Sequence, residues 1–169
     1  GNHDNNRVRT RFGGDEYLAR SMHVLLLTLR GTPTIYNGDE FGMKDGQVTK
    51  AQAQDPNCKV STSAWNCRDP ERTPLQWDTS NKNAGFTGDG VEPWLPVSDD
   101  YVRTNVANEA GDPSSMLAMV RWGLKLRREN KALHNGGYES IDVPSGNVFA
   151  YTRFDDAAQF VVVHNFDEA

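Results

Sequence analysis

Hydrophobic residues recur at steps of three and four between residues 15 and 30, a spacing typical of one face of a helix. The repeating positions are Leu18, Met22, Leu25 and Leu29. Acidic residues stand at the start of this segment, and Gly31 and Pro33 follow it, as expected at the two ends of a helix. Residues 32–36, "TPTIY", are short and rich in β-branched side chains. They predict a buried strand directly after the helix.

The hydrophobic pattern dissolves between residues 38 and 112, a stretch rich in Pro, Asn, Asp and Gly. An irregular run of this length is typical of functional loops on a rigid frame. Trp65, Trp77 and Trp94 lie within it, and packing of the loop is favoured over stacking on a ligand. Asp112 and Pro113 then suit the cap and first residue of a helix, and the apolar stripe after them ends near two consecutive glycines.

The last residues form three β-rich segments, "YESIDV", "NVFAYTRF" and "AQFVVVHNF", separated by the turn sequences "PSGN" and "DDA". This pattern predicts an antiparallel meander. The order of elements indicates an α/β fold, the last part of a (β/α)8 TIM barrel followed by the start of a small antiparallel β-domain. We expect the barrel part to occupy residues 1–133, including the long loop 38–112, and the partial β-domain to occupy residues 134–169. Reactive groups of such barrels lie at the C-terminal ends of the strands.

Size and charge limit the classes of partner. The chain has 169 residues, 37% of them hydrophobic, and a formal net charge of −5. This length can bury a core, and the acidic balance argues against nucleic acid as a partner. No apolar run approaches the roughly 20 residues that a membrane span requires.

Two cysteines, Cys58 and Cys67, lie close together in the polar loop. A disulfide formed in an oxidising compartment is the favoured interpretation, and two reduced thiols are the alternative. A zinc site would need two further ligands, which no CxxC sequence or closely spaced histidine pair supplies. We therefore predict no metal site in this chain.

Three stretches carry candidate chemistry: "GNHDNNRVRTRFG" at 1–13, "GTPTIYNGDEFGM" at 31–43 and "RDPERTPLQWD" at 68–78. Taken alone, Asn2-His3-Asp4 is more typical of a turn than of a site. Together and in this order, the stretches resemble motifs of the α-amylase superfamily, glycoside hydrolase family 13. The third resembles a loop of the α-glucosidase and oligo-1,6-glucosidase branch.

The resemblance implies specific roles. Asp4 would be the third carboxylate of the catalytic trio, which stabilises the transition state. Glycoside cleavage places positive charge on the sugar ring, and a fixed carboxylate beside the ring stabilises that charge. His3 would bind sugar hydroxyls, Arg72 would line the pocket on the leaving-group side, and Arg7 would help to orient the acidic groups.

A retaining glycosidase also needs a nucleophile and a general acid/base. In the family these lie on the fourth and fifth barrel strands, which would precede Gly1. We therefore expect a C-terminal fragment whose partner is the rest of the barrel. The parent would be a retaining, maltase-like α-glucosidase that hydrolyses terminal α-linked glucose from small oligosaccharides. No cofactor is expected in this chain, and any structural calcium ion of the parent would have its ligands upstream.

One alternative within the resemblance is a non-catalytic protein, the ectodomain of an amino-acid transporter heavy subunit. The intact Asn2-His3-Asp4 and Arg72 favour an enzyme, because a non-catalytic descendant has no physical need for them. An extracellular or membrane-anchored location is expected in either case.

Overall fold

The computed structural model describes residues 1–60, 67–144 and 146–166, so Trp65 and Ser145 of the predicted "PSGN" turn lie outside the described residues. The chain divides into two compact units. The first comprises residues 1–19 and 34–119, and the second comprises residues 20–33 and 120–169.

Short helices and turns make up most of the first unit. Three α-helices lie within its described residues: α1 (Val8–Arg11), α3 (Pro56–Val60) and α4 (Val106–Gly111). Two longer helices begin in this unit and continue into the second: α2 (Glu16–Thr28) and α5 (Met116–Glu129). Single 3-10 turns span Asp39–Phe41, Pro70–Arg72 and Asp99–Val102. The predicted long loop over residues 38–112 therefore contains several short helical elements. Its helices are too short to give a detectable hydrophobic period.

The apolar core of the first unit joins parts of the chain that are distant in sequence. Phe41, Met43, Leu75 and Leu117 are buried together, and Val106 packs against them. This cluster fixes the segment after Tyr36, the loop after Arg72 and the start of α5 to one another, and so supports the loops between them.

Helix α5 begins at Met116, not at the predicted Pro113. Asp112 directs its carboxylate to the backbone N–H of Ser114 at 2.7 Å and so stabilises a turn. The Ser115 hydroxyl instead accepts a hydrogen bond from the N–H of Ala118 at 3.1 Å, which is the geometry of an N-cap. Of the two candidate caps, Asp112 and Ser115, Ser115 is therefore the residue that caps the helix.

Residues 32–36 do not form the predicted buried strand, and they are exposed or half-buried. A barrel strand is defined by hydrogen bonds to neighbouring strands. Across the described ranges, the sheet contains only strands β1 (Gly137–Ile141), β2 (Val148–Phe154) and β3 (Gln159–Asn165). The segment at 32–36 has no partner strand among them.

The second unit contains the meander that the sequence predicts. Strands β1, β2 and β3 pair in that order, all antiparallel, with Tyr151 of β2 opposite Ser140 on one side and Val162 on the other. A short helix, α6 (Lys131–His134), precedes the sheet.

Two buried arginines close the C-terminal end of α2, whose last carbonyls have no partner within the helix. Arg127 donates to the carbonyls of Leu27 and Leu29 at 2.6 and 3.0 Å, and also to that of Gly31. Arg153 donates to the carbonyl of Thr28 at 2.5 Å. Positive charge also suits this end of the helix dipole. Within the described residues, no helix has both the length and the apolar character to cross a membrane.

Candidate active site

A tight turn at the start of the chain presents Asp4. The side-chain oxygen of Asn2 accepts hydrogen bonds from the backbone N–H of Asp4 and from the side-chain amide of Asn5, both at 2.9 Å. This is the turn chemistry expected of asparagine. The Asp4 side chain is 48% exposed, so its carboxylate is accessible.

Arg72 contacts the turn at two points. Its Nη2 donates to Oδ1 of Asp4 at 3.0 Å, and its Nε donates to the backbone carbonyl of His3 at 2.9 Å. Arg72 is the last residue of the 3-10 turn Pro70–Arg72, which places the third motif against the first. The structure thus brings together Asp4, His3 and Arg72, three of the four predicted site residues.

The two oxygens of Asp4 have different surroundings. Oδ1 accepts from arginine, whereas Oδ2 lies 3.4 Å from Nε2 of His3, whose side chain is 66% exposed. The accessible part of the site is therefore one carboxylate oxygen beside an imidazole.

Sequence reasoning missed Arg68, although it begins the third motif. Its Nη1 donates to Oδ1 of Asp4 at 3.2 Å, and its Nε donates to Oδ2 of Asp55 at 2.6 Å. The side chain of Asp55 is almost fully buried. Both contacts are tertiary, so no local sequence signal distinguishes Arg68 from an ordinary surface arginine.

The charges around Asp4 favour its ionised form. Partial desolvation raises the pKa of Asp4, but the hydrogen bond from Arg68, the nearby His3 and the hydrogen bond from Arg72 outweigh it, and the net pKa is lowered. The hydrogen bond from Arg68 also lowers the pKa of Asp55 to about 2. The site therefore holds a carboxylate that stays negative at mildly acidic pH.

Arg7, the fourth predicted residue, is placed differently. It is 2% exposed, its guanidinium carbon lies 4.9 Å from the centre of the Tyr36 ring, and its Nη1 donates to the carbonyl of Asn37. Gly38 (φ 98°) makes room for it, since a Cβ there would lie 2.7 Å from Nη1 of Arg7. These contacts are to residues other than Asp4, so its role in substrate binding stays a prediction.

Glu71 is a second residue that sequence reasoning missed. It is buried beside Arg72, and its Oε2 has no hydrogen-bond partner among the described residues. Burial raises the pKa of Glu71 to about 7, Asp45 adds to the rise, and Arg72 and Arg7 oppose it. The sequence does not predict this burial, because a glutamate between proline and arginine is typical of a surface residue.

The predicted disulfide is confirmed, with Sγ of Cys58 and Cys67 2.08 Å apart. A carboxylate oxygen of Asp69 lies within 4.8 Å of both sulfurs. Both sulfurs are bonded to each other in the disulfide. Cysteine binds a metal ion as a free thiolate, so this group of three residues does not fit a metal ion. Asp69 instead accepts hydrogen bonds from the backbone N–H groups of Gln54 and Asp55.

Residues 1–136 match the family described as alpha amylase, catalytic domain. The chain belongs to the α-amylase family. Among curated relatives of this family, it is 33% identical to a probable oligo-1,6-glucosidase 2 of Bacillus subtilis, over 99% of this chain and 33% of that protein. It is 36% identical to maltase A1 of Drosophila melanogaster, over 96% of this chain and 28% of that protein.

Solved structures of α-amylase family proteins also match this chain. The trehalulose synthase MutB of Pseudomonas mesoacidophila superimposes with a TM-score of 0.81 at 36% identity, over 98% of this chain and 34% of that one. An inactive double mutant of MutB in complex with isomaltulose gives a TM-score of 0.83. These matches confirm the predicted fold, the last part of a TIM barrel with the start of a β-domain. The chain spans about a third of the length of the relatives it matches.

Proposed function

We propose that the parent protein is a retaining α-glucosidase that hydrolyses terminal α-linked glucose from small oligosaccharides, and that this chain supplies its transition-state-stabilising carboxylate, Asp4. One observation carries the proposal. In a member of the α-amylase family, an accessible carboxylate is held by arginine at one oxygen and lies beside a histidine at the other.

The geometry suits an oxocarbenium-like transition state. Oδ2 of Asp4 is the oxygen available to face a sugar ring that becomes positive, because Oδ1 already accepts from Arg68 and Arg72. A preorganised charge of this kind needs no reorganisation when the ring charge develops. In this proposal, His3 donates from Nε2 to a hydroxyl of the same sugar.

The remaining steps belong to the other part of the parent barrel. Its nucleophile attacks the anomeric carbon while its general acid protonates the glycosidic oxygen, and water then releases the sugar from the glycosyl-enzyme. Asp4 stabilises the ring charge in both steps. The relatives named oligo-1,6-glucosidase and maltase support hydrolysis.

A second candidate is isomerisation of a glucosyl disaccharide. The similarity to MutB, a trehalulose synthase with sucrose named as its substrate, favours it. Both reactions share the glucosyl-enzyme step and differ in the acceptor, which is water in one and the released sugar in the other. The retained His3, Asp4 and Arg72 weigh against a non-catalytic transporter ectodomain. We also propose an extracellular or membrane-anchored location, because the chain carries a disulfide.

The test uses the full-length parent and its Asp4→Asn variant with a chromogenic α-glucoside, maltose, isomaltose and sucrose. We expect the wild type to release glucose, and the variant to lose at least about a hundredfold in kcat, since it loses a preorganised charge. Asp89→Asn, at an exposed loop acid of the same unit, is the control. Unchanged hydrolysis by Asp4→Asn would remove Asp4 from the mechanism, and isomeric disaccharides as the main product would favour the second candidate.

A further inference from the structure

A cavity in the second unit is lined mainly by basic side chains. Its volume is about 630 Å³, which lies in the range of small-molecule sites. The lining residues are Arg121, Leu124, Lys125, Arg127, Arg128 and His134. All of them except His134 belong to helix α5, and His134 is the last residue of α6. The chain as a whole has a formal net charge of −5, so this concentration of positive charge is local.

We propose that this cavity binds a ligand that carries phosphate groups, and that Arg121, Lys125 and His134 contact those groups. The inference is independent of the proposed function, because it concerns a different set of residues and does not involve glycoside cleavage.

The first step of the argument concerns the exposed cations of α5. Arg121, Lys125 and Arg128 follow one another at steps of four and three, so they lie on one face of the helix, where like charges repel. Within the described ranges, neither Arg121 nor Lys125 forms an ion pair. Arg128 contacts Glu129 only at 4.0 Å. The repulsion along this face is therefore not offset by acidic side chains, and a bound anion would offset it.

The second step concerns a buried cation in the wall of the cavity. Arg127 is 6% exposed, and it donates from Nη1 and Nη2 to backbone carbonyls only. Burial lowers the pKa of Arg127, Tyr151 opposes this effect, and no carboxylate of the described residues contributes. Buried charges in proteins are normally paired with an opposite charge. An anion in the cavity would supply the counter-charge that the surrounding side chains do not provide.

The third step concerns the class of anion. A phosphate monoester carries between about 1.5 and 2 negative charges at neutral pH, more than a carboxylate. Arginine binds phosphate through two parallel N–H bonds, and lysine binds it as a point charge. The cations from Arg121 to Arg128 extend over about 10 Å of the helix axis, and Leu124 lies between them. This length favours a ligand with two phosphate groups, or with one phosphate group on a larger body that packs against Leu124.

The experiment titrates the full-length parent with pyrophosphate, inorganic phosphate and chloride at equal ionic strength, by isothermal titration calorimetry. We expect pyrophosphate to bind more tightly than inorganic phosphate, and chloride to give no saturable signal. Arg121→Gln/Lys125→Gln should weaken pyrophosphate binding at least about tenfold, because it removes two charge-assisted hydrogen bonds. His134→Ala, on the opposite wall, should weaken it about threefold or more. Lys50→Gln/Arg103→Gln removes the same charge at exposed positions of the first unit and should bind like the wild type.

Wild-type affinity for pyrophosphate in Arg121→Gln/Lys125→Gln would overturn the inference. An equal loss in the charge-matched control would also overturn it, since binding would then depend on net charge alone. Both substituted side chains are exposed, so we expect the variant to fold, and its melting temperature without phosphate checks this. A melting temperature that rises with pyrophosphate in the wild type but not in the double variant would support the inference through a second measurement.

A second arm identifies the source of the phosphate. The wild type is sedimented with phosphatidylcholine vesicles that contain or lack phosphatidic acid. Sedimentation that requires phosphatidic acid and is displaced by pyrophosphate would support the site with a lipid headgroup as its ligand. Pyrophosphate binding without sedimentation would support the site with a soluble phosphate compound as its ligand. A wild type that binds neither pyrophosphate nor these vesicles would overturn the inference, whatever its activity on α-glucosides.

Discussion

Nη2 of Arg72 lies 3.0 Å from Oδ1 of Asp4, although the two residues are 68 positions apart. Because Nε of the same guanidinium donates to the backbone carbonyl of His3 at 2.9 Å, one side chain fixes both the backbone and the acid of the opening turn. The first and third motifs of the sequence are thus parts of a single site. An arginine in a fork geometry can make both contacts, which gives it a role that charge alone would not fill.

Arg72→Lys keeps the charge and tests the fork. A lysine can replace one of the two contacts but not both, so the opening turn should lose its fixed position. We expect kcat/KM for a chromogenic α-glucoside to fall about tenfold to a hundredfold. Steady-state kinetics on the full-length parent measure it, with Arg11→Lys, an exposed arginine of the same unit, as the control. Wild-type kinetics in Arg72→Lys would show that the fork is not needed.

The double variant Cys58→Ser/Cys67→Ser tests the disulfide. The bond closes a loop between residues nine positions apart, which restricts the unfolded chain. Its removal should cost about 2–3 kcal/mol in the free energy of unfolding. Thermal unfolding with and without reductant measures the effect, and the reduced wild type should match the double variant. A wild type whose melting temperature does not respond to reductant would contradict this prediction.

The sequence predicted the elements that depend on local signals and missed those that depend on distant partners. The meander follows from alternating segments and turn residues, and α2 follows from its apolar face. The segment at 32–36 has the composition of a strand, but strand pairing needs neighbours that local composition does not supply. The sequence did not predict the roles of Arg68 and Glu71 for the same reason. One depends on Asp55 and Asp4, and the other on burial beside Arg72.

Glu71 should make stability depend on pH. Its pKa is raised to about 7 in the folded protein, mainly by burial, whereas an unfolded glutamate titrates near 4.5. Between these two values the folded state binds more protons than the unfolded state, so stability falls as pH rises. Glu71→Gln cannot ionise and should remove this part of the dependence.

The measurement is the difference in melting temperature between Glu71→Gln and the wild type from pH 4 to pH 8. We expect a small difference at pH 4. At pH 8 we expect the free energy of unfolding of the variant to exceed that of the wild type by up to about 3 kcal/mol. Glu92→Gln, at an exposed glutamate of the same unit, controls for loss of charge. Parallel pH curves for Glu71→Gln and the wild type would show that Glu71 titrates as it does in an unfolded chain.

Arg127→Met tests the closure of helix α2 in the second unit. Arg127 is 6% exposed and donates to the carbonyls of Leu27, Leu29 and Gly31. Methionine preserves much of the apolar volume but leaves these acceptors without their donor. Since each buried acceptor left unsatisfied costs about 1–3 kcal/mol, we expect a loss of about 3 kcal/mol or more.

The neighbouring Arg128 supplies a matched control for this variant. Its side chain is 79% exposed, and its contact with Glu129 is long, at 4.0 Å. Arg128→Met should therefore change the free energy of unfolding by no more than about 0.5 kcal/mol. Urea unfolding of the three proteins gives the comparison, and hydrogen exchange at residues 28–31 localises it. Because the carbonyls at the end of α2 accept from Arg127 and not from Arg128, only Arg127→Met should accelerate exchange there, and equal exchange in both variants would contradict a closing role for Arg127.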